Sequence, residues 1–405
     1  MSEITREQEV LLHLIQKNFR PDTQALPDEV LKAVDWAEVF KEAAQQAVLI
    51  TAFDSAGTYK AHIPVEVYMQ TFQRVSRGMM KNLQVSSAQK ALTALLEQNS
   101  YAHVILKGEA AAAYYPRPDL RHLGDVDFLI DPGKKEEITA LLTTNGYVDG
   151  QHENQYHRDF RKNGVMLEMH FQLPGLPEGE GRGAVVRYMQ DMLRFAPAGV
   201  DKSRGFPAPS AAYHGLVLLL HMQKHMVSSG LGLRHLCDWA AFVDRTAEED
   251  FWQAQLLPLL REIGLFKYAS VMTKTAARAV GSACPDWARA EDDLCDAVLH
   301  DILTGGNFGR KDELRSRAGM MIPKAQNKEK GQLARLWTTL HTTTATMYPI
   351  VRKVRVLHPV FDLYRVGVYG VRRLKGERPS MKTMAPLAQQ RRSIYEQLEI
   401  FETEE

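Results

Sequence analysis

The chain is poor in cysteine, with three in 405 residues (Cys237, Cys284 and Cys295) and no Cys-x-x-Cys pair among them. This excludes a disulfide framework and a cysteine zinc site, and it fits a reducing, cytoplasmic setting. An excess of either charge is also missing, since 50 Lys and Arg stand against 49 Asp and Glu. The chain as a whole is therefore no polyanion binder, although a local basic patch can still play that part. No run approaches about 18 uncharged apolar residues, so no transmembrane segment is expected. The opening stretch is broken by charge every few residues and does not read as a signal peptide. No repeat of about 20–50 residues is found. What is present is ordinary globular material: 45% hydrophobic and 24% charged residues supply a sizeable core and exclude disorder. At roughly 150 residues per domain, two or three domains are expected.

Pattern divides the chain. Residues 1–84 read as a helical region, with an amphipathic run at Leu11, Leu12, Leu14 and Ile15 and helical spacing from Val30 to Val48. A helix over Val85–Gln98 carries Leu92, Leu95 and Leu96, with Ser86 and Ser87 suited to an N-cap. From Tyr101 the period changes. His103–Gly108 is a short apolar strand ending in glycine, followed by an alanine-rich helix stopped at Pro116 and Pro118. A second strand holds Val126, Leu129 and Ile130, and a helix then runs to Asn145-Gly146. Asn163-Gly164 joins two further strands as a hairpin. Residues 85–183 thus form an α+β core ending in a Pro/Gly-rich loop at 173–183. Residues 184–330 read as a helical domain, with a helix from Ser210 and an amphipathic one bearing Leu233, Leu236, Trp239, Ala240 and Val243. The remainder, 331–405, is a C-terminal helical basic segment and tail. Its stretch 352–378 holds eight Lys and Arg against two acids.

The chemistry sits in the α+β core. Asp125 and Asp127 lie two apart on an expected strand, so both carboxylates share one face with Cα atoms about 7 Å apart. So close, they repel unless a cation lies between them, and a hard divalent ion such as Mg²⁺ suits carboxylate oxygens and substrate phosphates. Glu168, on the next strand, would complete a two-metal site for phosphoryl or nucleotidyl transfer. A strand-Lys-Gly turn precedes the acids, and Arg121 stands just upstream, where it can hold a phosphate bidentately.

The Lys-Gly pair at 107–108, the segment 114–130 (YYPRPDLRHLGDVDFLI), the Asn-Gly-Tyr at 145–147 and the Leu-Glu-Met-His at 167–170 resemble a nucleotidyltransferase family often encoded beside polysaccharide-biosynthesis genes. That family belongs to the DNA polymerase beta-like superfamily. The resemblance covers residues 85–173 and continues more weakly through the histidine-rich helices. It implies a polymerase beta-like α+β domain with a small mixed sheet, flanked by N- and C-terminal helical regions. Carried over, Asp125, Asp127 and Glu168 would be catalytic metal ligands for Mg²⁺ or Mn²⁺. Lys107 and Gly108 would border the triphosphate of an NTP, Arg121 would neutralise phosphate charge, and His170 would orient substrate or a carboxylate. One departure stands out: Gly108 is followed by Glu109 where the superfamily has serine. Glu109 would repel phosphate if it faced the pocket, or serve as a helix N-terminal acid if turned away. The acceptor stays open among sugar, RNA end and protein. Two other readings are a toxin-like RNA-modifying enzyme and a nucleotide-binding or scaffolding protein without turnover.

Other signals weigh less. His221 and His225 have zinc spacing, but no glutamate follows His221, and a packed histidine pair is expected. Gly305-Gly306-Asn307-Phe308-Gly309 matches no phosphate loop and reads as a helix stop. Arg234 and Asp238, at i and i+4, are expected to pair on a helix surface. The 352–378 segment reads as a docked helix whose cation stems cover apolar surface, or as a polyanion contact.

Overall fold

A computed structural model describes residues 4–177, 180–195, 205–228, 230–246 and 248–311, and beyond these 337, 340, 341, 344, 348, 350, 351, 354–374, 389 and 391–402. The chain opens with α1 (Arg6–Phe19), which Thr5 and Gln8 cap reciprocally. Next come α2 (Asp28–Ala33), α3 (Trp36–Gln45) and α4 (Leu49–Ala56), then the long α5 (Val65–Gln98). Ser86 and Ser87 do not start a helix as expected, because they lie inside α5. The physical reason is packing. Val75, Asn82, Val85, Gln89, Leu92 and Leu96 form one buried stripe at alternating three- and four-residue steps, with a first step of seven. Burial of that stripe overrides the local preference of serine for a cap.

The α+β unit contains β1 (His103–Ile105), α6 (Glu109–Ala112), β2 (Asp125–Ile130), α7 (Lys135–Thr144), β3 (Val148–Glu153), β4 (His157–Lys162) and β5 (Val165–His170). The sheet order is β1-β2-β5-β4-β3, with β2 and β5 parallel and every other neighbouring pair antiparallel. This is the small mixed sheet expected. The hairpin turns at Asn163 (φ 51°) and Gly164 (φ 74°), both left-handed as a two-residue turn demands. Strand β3 escaped the pattern reading: its sequence, VDGQHE, lacks alternating apolar residues and is a strand only through its pairing with β4 at the sheet edge.

One face of the sheet is apolar. Val126, Phe128, Ile130, Phe160, Leu167 and Met169 pack with α5 and α7 in one buried cluster. The other face looks into a cleft closed by α9 (Ala211–Val227) and α10 (Leu233–Arg245), which follow α8 (Glu180–Phe195). Ser210 occupies the N-cap position of α9 but makes no side-chain capping bond. The helical part continues with α11 (Glu249–Phe251), a π-helical turn at Trp252–Leu256, α12 (Leu257–Glu262), α13 (Phe266–Val280) and α14 (Asp292–Gly305). Gly306 (φ 67°) ends α14, so the glycine run is a helix stop. The larger buried cluster extends from α1 through α9, α10 and α13 to Ile400 and takes in Val104, Leu106, Tyr114, Tyr115 and Leu129 of the α+β unit.

A last helix spans His358–Leu374. It exposes Val360, Leu363, Tyr364 and Val366 and buries Asp362. Residues 352, 353 and 375–378 of the basic segment, and the side chains of Arg372 and Arg373, lie outside the described residues. Among the described residues no helix is long and apolar enough to cross a membrane.

Candidate active site

Strand alternation builds the floor of the cleft. Asp125 and Asp127 point to the same side of β2, and the parallel register sets Glu168 directly beside Asp127 and His170 beside Leu129. On β4, Asp159 faces Glu168 and His157 faces His170. A polar band therefore crosses three strands over the apolar face described above. His157 and Asp159 were not singled out in the sequence, although the hairpin turn fixes their register to Glu168 and His170.

Asp127 is the hub. Its Oδ1 lies 2.7 Å from the Lys107 ammonium and 2.9 Å from His170 Nε2. His170 Nε2 is also 3.4 Å from Glu168 Oε2. Burial alone would raise the Asp127 pKa, but Lys107 and His170 hold it well below the carboxylate range. Burial opposes the shift of Glu168 too, and the bond from His170 keeps that carboxyl low. His170 in turn is raised, since its bonds to Asp127 and Glu168 outweigh burial. Asp125 behaves differently. Burial first, then the Asp127 charge, push it up to about 6, and among the described residues it has no ion pair.

These residues fit a divalent cation. Asp125, Asp127 and Glu168 place hard oxygen donors on one face, and among the described residues Glu168 also groups with His157 and His170, their donor atoms within 4.8 Å of one another. Such an ion would be held by these three carboxylates and would supply positive charge at a phosphoryl centre.

Lys107 and Gly108 leave the end of β1 at the cleft. The Leu106 N–H donates to the Asp127 carbonyl at 2.9 Å, which ties the turn to β2. Gly108 (φ 63°, ψ −116°) sits where a side chain is strained, so glycine is required there. The Glu109 carboxylate accepts from Gln89 Nε2 of α5 at 2.8 Å and does not line the cleft. Lys107 Nζ is also 3.1 Å from His221 Nε2.

The second wall is helical. His221, His225 and His235 pack together, with His221 and His225 Nε2 atoms 2.8 Å apart. Burial and then neighbouring positive groups, Lys107 first for His221, push all three well below the usual imidazole range. The expected pair has a third member, His235, that the spacing did not reveal, and ring nitrogens of the three lie within 4.8 Å of one another, close enough to share a metal ion.

The expected surface pair of Arg234 and Asp238 does not form. Asp238 is buried and takes both Nε and Nη2 of Arg121 at 2.7 Å, as well as the Tyr115 hydroxyl at 2.7 Å. Arg121 reaches the cleft wall, but its guanidinium is engaged on Asp238 in a bidentate pair between the β2 approach and α10. Its partner lies 117 residues away, so no local pattern could have exposed the pair. The cleft, a cavity of about 310 Å³, is also lined by Asn307, Phe308 and Arg310.

A family model described as "Uncharacterised nucleotidyltransferase" matches residues 32–281, more than half of the chain. The match takes in the whole sheet, α9 and α10. No curated protein matches the chain.

Proposed function

The chain belongs to the uncharacterised nucleotidyltransferase family, and from that premise we propose that it moves a nucleoside monophosphate from an NTP to an acceptor in a metal-dependent reaction. The acceptor hydroxyl or phosphate attacks the α-phosphate and pyrophosphate leaves. Asp125, Asp127 and Glu168 hold Mg²⁺ or Mn²⁺. The observation that carries this reading is the register of β2 against β5, which gathers three carboxylates on one face next to the Lys107-Gly108 turn. Lys107 and Gly108 border the triphosphate. His170 positions Asp127 and Glu168 through its Nε2–H and is a positioning residue. Glu168, kept ionised by the bond from His170, is the candidate group to help deprotonate the attacking acceptor.

The turn of Glu109 onto Gln89 removes the repulsion that favoured a binding-only protein. We place acceptor selection in the helical region 184–330, because α9 and α10 face the carboxylates across the cleft. The C-terminal region 331–405 stands apart from this assignment. The described part of the 352–378 helix exposes Val360, Leu363 and Tyr364, which favours neither docking nor a polyanion contact. The free cysteines agree with a cytoplasmic location.

The test is incubation of the pure protein with each labelled NTP, Mg²⁺ or Mn²⁺ and cell extract. Label transferred to an extract component, with pyrophosphate released, supports the reading. Binding of NTP with no transfer under either metal would favour the non-catalytic protein, and label confined to RNA would favour the toxin-like enzyme.

A further inference from the structure

The wall supplied by α10 carries a cation that makes no ion pair among the described residues, although Asp238 and Asp125 act on it from a distance. Arg234 stands in the first turn of α10 and lines the cleft. Its Nε is buried without a hydrogen-bond partner, and among the described residues its guanidinium makes no ion pair. The carboxylate one turn along, Asp238, is engaged through both oxygens by Arg121. What Arg234 meets instead is a ring: its guanidinium carbon lies 5.5 Å from the centroid of Phe308. Phe308 is held at φ 57°, ψ 33°, a left-handed conformation that is rare for a bulky residue. The surroundings are strongly positive. Burial first, then Arg234, Arg121 and Arg310, push the His122 imidazole down to about 4.

Buried charges in folded proteins are paired, because an uncompensated one destabilises the fold. Arg234 is half-buried with its Nε unpartnered, and it lines a cleft where a ligand can supply a direct anionic partner. Phe308 covers one side of the guanidinium, whose N–H groups match two phosphate oxygens. We propose that Arg234 receives a phosphate group of the substrate, with Phe308 fixing the plane of the guanidinium. Arg121, the cation that the sequence spacing favours for this task, is the structural arginine, and Arg234 is the ligand-binding one. The inference rests on the nucleotidyl-transfer reading only for the owner of the phosphate, either the triphosphate tail of the NTP or a phosphorylated acceptor.

Calorimetric titration of the full chain with Mg²⁺ present separates these sources, using tripolyphosphate, each NTP and a hexose 1-phosphate as probes. Arg234→Gln is expected to weaken tripolyphosphate and NTP roughly 10- to 100-fold, the range of a charge-assisted hydrogen bond. Arg234→Lys should recover part of the loss. The melting temperature of Arg234→Gln should be no lower than wild type, because an unpaired buried charge is removed. A loss confined to the hexose 1-phosphate would support the site on the acceptor side. Wild-type affinity of Arg234→Gln for all the probes, or a lowered melting temperature with affinities intact, would overturn the proposal. The two readings fail separately. Nucleotide transfer by Arg234→Gln at wild-type KM keeps the enzyme and removes this site, whereas Arg234-dependent tripolyphosphate binding without any transfer keeps the site and removes the enzyme.

Discussion

Two aspartates two residues apart occupy opposite electrostatic states, and each state carries a prediction. Asp127 is pinned between Lys107 and His170. Asp127→Asn keeps the shape but loses the charge that holds both a cation and the Lys107 ammonium. We expect nucleotide transfer to fall to background and stability to drop by about 3–5 kcal/mol, as when one partner of a buried pair is removed. Retained far-UV circular dichroism with full activity would exclude the metal-ligand role. Asp125 has its pKa raised from 3.8 to about 6, so the folded state binds this proton more tightly than the unfolded state does. Its contribution to stability is therefore greatest below pH 4 and declines as pH rises through about 6. Asp125→Asn removes that penalty. Without metal, its unfolding free energy should equal wild type near pH 4 and exceed it above pH 7, by an amount on the order of 1–3 kcal/mol. A pH-independent difference would mean that Asp125 is not the strained carboxylate.

At the level of elements, the bond between Arg121 and Asp238 links the approach to β2 with α10 beside the cleft. Arg121→Met leaves the buried Asp238 without its cation and should cost about 3–5 kcal/mol in urea unfolding, while Arg121→Met with Asp238→Leu should regain most of it. If nucleotide affinity fell far more than stability, the guanidinium would belong to the ligand. The elements that were legible in the sequence are those fixed by near neighbours. Asn163-Gly164 announces its hairpin, and alternation along β2 sets Asp125 and Asp127 on one side. The start of α5 and the strand β3 were not legible, because distant partners create them: a buried stripe in one case and an edge pairing in the other. The same holds for the site. The three carboxylates and Lys107 could be found from a strand period and a motif, whereas the partner of Arg121 and the isolation of Arg234 depend on a contact between residues 117 apart.

For the whole molecule, the larger core runs through regions that composition would separate. Leu11 and Leu14 of α1, Tyr114 and Tyr115 of the α+β unit, and Trp239 of α10 lie in one buried cluster. α5 likewise passes without a break across residue 84, where the sequence pattern changes. Residues 85–183 alone would expose the side that this cluster covers. We expect the fragment to be largely unfolded and the chain from residue 4 to 311 to melt in a single transition by calorimetry. A fragment with dispersed amide resonances would show that the α+β unit is autonomous.

The parallel pairing of β2 with β5 also has a kinetic consequence. Between Asp127 and Glu168 the chain travels through α7, β3 and β4, and only the return of β5 closes that loop. Such a non-local contact forms late, after its closure entropy has been met. The three carboxylates therefore do not exist as a group in the unfolded chain or in early folding structures. A divalent ion that needs all three can act only on the finished register. Saturating Mg²⁺ should accordingly slow unfolding and leave the refolding rate nearly unchanged, as stopped-flow measurements in denaturant would report. The ion would be a latch on a topology already made.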